Sequence, residues 1–107
     1  MSKIKFGPYD FEGPYTTTRQ LYDKPGVYLI LCNDIREPSK FYPVDVDESE
    51  TPKSAIEHHD RKVCWTKSCH GTGTLALAVF YAAAMTKEER IKVSKYIRGL
   101  YDIPCGS

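Results

Sequence analysis

Pro25-Gly26-Val27-Tyr28-Leu29-Ile30-Leu31-Cys32 is the stretch around which the chain is organised. Pro25-Gly26 punctuates its start, and the run that follows is the densest in strand-forming residues in the first half. Because it is almost continuously apolar, it reads as a central strand covered on both faces. Asn33 to Lys40 is a polar turn region, and Phe41-Tyr42-Pro43-Val44-Asp45-Val46 follows it. Val44 and Val46 alternate with Asp45 and Asp47, the pattern of a half-buried strand end, and Pro43 keeps the earlier part away from a central position. The two segments predict a long hairpin.

Outward from this hairpin, residues 1–23 contain Gly7-Pro8 and Gly13-Pro14 around aromatics. That pattern excludes a long helix and predicts an irregular extension or edge-strand lead-in whose aromatics pack on the core. After the hairpin, Thr51 suits an N-cap and Pro52 a first helical position, with Ala55, Ile56, His59 and Val63 on one stripe. Cys64 to Gly73 reads as a loop and Leu75 to Tyr81 as a buried strand, with a short helix left open by its alanines. Thr86 and Glu89 form a capping-box pair before a helix whose apolar arc is Val93, Tyr96, Ile97, Leu100 and Tyr101. Pro104 and Gly106 follow its end. The expected fold is α+β: a small, mainly antiparallel three-stranded sheet flanked by helices, in the order β-β-α-β-α.

The chain has 107 residues, enough for one core, so 1–107 is expected to be a single domain. No apolar run reaches about 18 residues and the N-terminus lacks a signal-peptide hydrophobic region, which predicts a cytoplasmic protein without membrane partners. Residues 1–50 hold six Lys/Arg against nine Asp/Glu, and residues 51–107 hold nine against five. A nucleic-acid-binding patch is therefore local, with Lys53, Arg61 and Arg90 as its candidates, and an ordinary solvated surface is the plainer reading.

Gly26-Val27-Tyr28, a second strand leading into an acidic-serine turn, a helix with His59, a third strand and a final helix ending in Tyr101-Asp102-Ile103-Pro104 together resemble the GIY-YIG nuclease domain. The resemblance covers residues 24–105 and rests more on element order than on the short first motif. It implies that Tyr28 lies beside the scissile phosphate and helps to activate water, with His59 in the same catalytic group. It also implies a tyrosine and a glycine where this chain has Asp45 and Asp47, with Glu48-Ser49 following. An arginine is implied where Ala55 stands, and a metal-binding glutamate where Ser94 stands. Hydrolysis of a phosphodiester by this route needs a metal and a cation to meet charge growing on the phosphate, and neither Ala55 nor Ser94 supplies one.

The expected function is thus a catalytically degraded GIY-YIG-like domain that binds nucleic acid or protein. The alternative is a divergent Mg2+-dependent endonuclease that uses Lys53 or Arg90 with Asp45, Asp47 and Glu48 as relocated cation and metal ligands. Carboxylates suit hard cations, although a solvated acidic turn is the plainer reading of Asp45, Asp47 and Glu48. Tyr28 and His59 also have a plainer reading, as hydrogen-bonded core residues. Among four cysteines, Cys32 reads as a buried thiol. Cys64, Cys69 and His70, with Cys105, contain the ligand types of a zinc site, but the spacing is at the edge of the usual range and packed, reduced thiols are expected.

Overall fold

A computed structural model describes residues 3–33, 36–37, 39–69 and 74–106. Five strands form one antiparallel sheet: β1 (Lys3–Phe6), β2 (Tyr9–Tyr15), β3 (Gly26–Asn33), β4 (Phe41–Ser49) and β5 (Leu75–Tyr81), in the spatial order β1-β2-β5-β3-β4. Among the described residues three α-helices accompany them, α1 (Pro52–Glu57), α2 (Lys62–Ser68) and α3 (Lys87–Leu100), with a short 3-10 turn at Thr18–Gln20. The expected three-stranded sheet is therefore corrected to five strands, and the β-β-α-β-α order to β-β-β-β-α-α-β-α.

The extra strands come from the segment expected to be an irregular extension or edge-strand lead-in, and β1 is an edge strand. Gly7, at φ 58°, turns β1 into β2, a backbone region open to glycine. Ile4 then lies opposite Phe11, and Glu12 opposite Val79 of β5. Pro14 cannot donate to a ladder, and it falls where the register shifts between Glu12 and Tyr15. The turn residues thus interrupt the strands without preventing them.

The β3–β4 hairpin forms as expected, with Leu29 opposite Val46 and Tyr28 opposite Asp47. β3 lies inside the sheet between β5 and the edge strand β4, buried from Gly26 to Cys32. Val27, Leu29 and Leu31 pack with Phe6, Phe11, Val93 and Ile97 on the α3 side. Tyr28, Ile30 and Cys32 pack with Ile56, Trp65 and Cys69 on the α1/α2 side. A register shift in β4 sets Ile30 opposite Asp45 but Leu31 opposite Pro43, leaving Val44 as the extra residue. That bulge overturns the half-buried alternation: Val44 joins Ile30's layer, and Asp45 is completely buried at 0 % exposure.

The single helix expected after Thr51 is two short ones. Pro52 opens α1, although the Thr51 side chain makes no capping bond. His59 lies between the helices, where its Nδ1 accepts the Arg61 backbone N–H at 3.1 Å. Val63 leaves the expected apolar stripe and is 67 % exposed. Cys64 to Ser68, expected in a loop, are helical in α2, while Gly71 and Gly73 lie outside the described residues. The α3 capping box is present in both directions, Thr86 Oγ1 accepting from Glu89 N and Glu89 Oε1 from Thr86 N. Val93 and Ile97 face the core as expected, whereas Tyr96 and Leu100 are about half exposed and Tyr101 follows the helix.

Candidate functional site

All four cysteines are paired, Cys32 with Cys69 and Cys64 with Cys105. The expectation of reduced thiols is corrected, because the β3 strand and the C-terminal tail bring to α2 the partners that sequence spacing hides. Cys64, Cys69 and Cys105 are disulfide-bonded, and a disulfide sulfur is no thiolate ligand for zinc. His70 lies outside the described residues. Paired cysteines accord with oxidising surroundings rather than the expected cytoplasm. Among the described residues no helix is long and apolar enough to cross a membrane.

The densest polar cluster is built around Asp45. The β4 bulge turns this carboxylate under α2, where Oδ2 accepts from Trp65 Nε1 at 2.7 Å and from Arg61 Nε at 2.9 Å. Oδ1 accepts from the Val46 backbone N–H at 2.8 Å and from Arg98 Nη2 at 3.2 Å. A carboxylate offers about four lone-pair directions, and here every one is taken. Burial of this charge is tolerable because two guanidiniums meet it.

The same cluster closes the outer edge of the sheet. β4 is an edge strand, and an unpaired edge templates association. Asp45 takes the N–H of Val46, and Asp47 Oδ1 takes the N–H of Glu48 at 2.8 Å. Val44 O accepts from Cys105 N, and Val46 O from Arg98 Nη2. Arg98 Nη1 also holds Cys105 O at 2.7 Å, so the C-terminal tail is strapped along β4 and its Cys64–Cys105 bridge ties it to α2. Gly106, at φ 79°, completes the strap: a Cβ there would come within 2.7 Å of Asp45 Oδ1.

The remaining candidates are distributed around this cluster. Asp47 Oδ2 accepts from Arg61 Nη2 at 3.1 Å, and Glu48 pairs with Arg90 Nε at 3.0 Å. The three metal-ligand candidates are thus each engaged by an arginine, and two of the nucleic-acid candidates, Arg61 and Arg90, are those arginines. Lys53 is half-buried on α1, away from the Asp45 bonds. Burial alone would lower the Arg61 pKa, but Asp45 and Asp47 outweigh it and raise it. Arg90 is buried at 3 % exposure, with Nη1 donating to Met85 O.

Tyr28 and His59 do come together, ring to ring at 6.1 Å and edge-on, with Trp65 4.7 Å from His59. Tyr28 is only 2 % exposed; burial first, then the carboxylates of Asp47 and Asp45, drive its pKa above the ordinary tyrosine value. That direction opposes use of its phenolate. His59 is pushed below the ordinary histidine value, by burial and then by the Arg61 guanidinium. Ser94 is buried and donates to Ile91 O at 2.8 Å within its own helix, and Ala55 contributes only a methyl group.

Sequence reasoning missed Arg98 and the role of Trp65, and it read Cys105 only among zinc-type ligands and Gly106 only as following the last helix. Trp65 is the sole tryptophan, beside Cys64, and that was its only local signal. No protein family, curated protein or solved structure matches the chain.

Proposed function

We propose that this chain is a GIY-YIG-like domain without phosphodiester chemistry, working in an oxidising compartment as a binding or interaction module for protein or nucleic acid. The order β3-β4-α1-α2-β5-α3, with Tyr28 and His59 on one face of it, supports the resemblance. The observation that carries the functional reading is the saturation of Asp45. A metal entering there would have to displace Trp65, Arg61 or Arg98 from a buried carboxylate, and each displaced group would lose its buried partner. The same pairing withdraws Arg61 from any phosphate, and Tyr28 has no route to an easily formed phenolate.

The test is a supercoiled-DNA nicking assay in Mg2+ and in Mn2+, with backbone amide shifts of Tyr28, Asp45, Asp47, His59 and Ser94 followed in the same titration. No nicking and no saturable shift at Asp45 is the expected result. Metal-dependent nicking that disappears in Tyr28→Phe would sink the proposal and establish the divergent endonuclease instead.

A further inference from the structure

On the α1/α2 side, away from the strapped edge, a cavity of about 360 Å3 opens between the sheet and the short helices. Ile30 and Leu77 of the sheet, Ile56 of α1 and Trp65 of α2 form its apolar walls. Its size falls at the lower end of the about 300–1,000 Å3 range of small-molecule sites.

The rim defines the chemistry of an occupant. Thr18 Oγ1 donates to Glu57 Oε2 at 2.7 Å, and Lys62 Nζ donates to Glu57 O. The lining thus includes one carboxylate, held by Thr18, and one ammonium, held by the Glu57 backbone carbonyl, and their formal charges sum to zero. An ion entering between the apolar walls would lose water without gaining an uncompensated counter-charge. The hydroxyls of Thr17, Thr18 and Thr66 already donate to Gln20 Oε1, Glu57 Oε2 and Lys62 O, so toward an occupant they keep acceptor capacity, which suits the O–H or N–H of a neutral polar group. Trp65 has already given its N–H to Asp45, so the face it offers the cavity is apolar.

We infer that this cavity is a binding site for a small, uncharged, mainly apolar organic molecule bearing one hydroxyl or carboxamide group. The inference rests on the reading of the chain as a binding module and supplies it with a ligand class. It needs no metal and no nucleic acid.

Four probes sharing one ring separate the possibilities: benzamide and benzyl alcohol as neutral ligands, benzoate and benzylammonium as their ions. Each is titrated into the oxidised full chain while backbone amides and the Trp65 indole signal are followed. Saturable shifts of Thr18, Ile56, Glu57 and the Trp65 indole are expected with a neutral probe, at least about tenfold tighter than with either ion, a difference of about 1.4 kcal/mol. Leu75→Phe fills the cavity from its half-buried wall, and Thr66→Phe crowds its exposed rim; at least one is expected to fold, as checked by its amide spectrum, and to abolish binding. The inference is overturned if neither neutral probe saturates, if benzoate or benzylammonium binds as tightly, or if every folded variant binds like the parent. Its failure is distinct from that of the module reading, which only metal-dependent nicking overturns.

Discussion

The two faces of the sheet are stabilised by different means. On one, a single helix of 14 residues, with a complete capping box, lays Val93 and Ile97 on Val27, Leu29 and Leu31. On the other lie helices of six and seven residues, neither with a side-chain cap at its N-terminus. Isolated helices shorter than about 12–15 residues are marginal in water. The second face carries both disulfides and the buried Asp45 cluster, whereas the first relies chiefly on apolar packing, with Arg90–Glu48 at its margin. Covalent bonds and one saturated carboxylate thus take the place of helix length, and Asp45, Asp47 and Arg61 are engaged as structural ties.

Breaking the bridge between α2 and the C-terminal tail tests this contrast most severely. Cys64→Ser with Cys105→Ser opens a link of sequence separation 41, worth about 4 kcal/mol on a chain-entropy estimate. Urea denaturation is expected to show that loss, and native-state hydrogen exchange to show α2 amides opening while α3 amides keep most of their protection. Equal loss of protection in both helices would remove the distinction between the faces. Asp45→Asn comes next. Removing one partner of a buried ion pair costs about 3–5 kcal/mol, and the lower end is expected because Arg61 and Arg98 are partly exposed and can turn to water. A urea midpoint unchanged from the parent would show that the cluster contributes no stability and would reopen Asp45 to another role.

What was legible in the sequence follows the range of the interactions involved. β3, β4 and β5 were readable from runs of strand-forming residues, and α3 from Thr86, Glu89 and its buried positions. The β1–β2 hairpin was not, because Gly7, Gly13 and Pro14 look like breaks until Glu12 meets Val79 of a distant strand. Nor was α2, whose Val63 faces outward and whose Trp65 is fixed by a residue 20 positions away. Arg98 reaches Asp45 across 53 positions, and no local pattern announces that. The sequence offered Tyr28 and His59 as catalytic candidates and Asp45 and Asp47 as metal ligands, but the bulge at Val44 and the arginines set the surroundings of these residues. Both depend on tertiary context.

On the packed face a smaller effect sharpens the comparison. Thr86→Ala removes the hydroxyl that accepts from Glu89 N, and loss of such a cap costs about 1 kcal/mol. Exchange at the first turn of α3 is expected to quicken while α2 is unchanged. Spread of the effect to α2 would show that the faces fold as one unit and would weaken the division drawn between them.

The smallest expected effect is a pH response confined to the stapled face. His59 has a pKa below the ordinary histidine value, set by burial and then by Arg61, with Asp45, Asp60 and Asp47 pulling the other way. In the unfolded chain the imidazole titrates near 6.5 and takes a proton more readily than in the fold. Its contribution to stability is therefore full above about pH 6.5 and declines as pH falls toward the folded-state pKa. The geometry indicates where this is felt. Nδ1 accepts the N–H of Arg61, the residue that opens α2; a proton on Nδ1 would make it a donor and break that bond, turning it toward Asp60 at 3.4 Å. Hydrogen exchange compared at pH 7.5 and pH 5, corrected for intrinsic rates, is expected to show the first turn of α2 opening more readily in acid, with α3 unaffected and the difference lost in His59→Gln. An α2 that opens no more readily in acid, or one that does so equally in His59→Gln, would show that this imidazole does not hold the helix start.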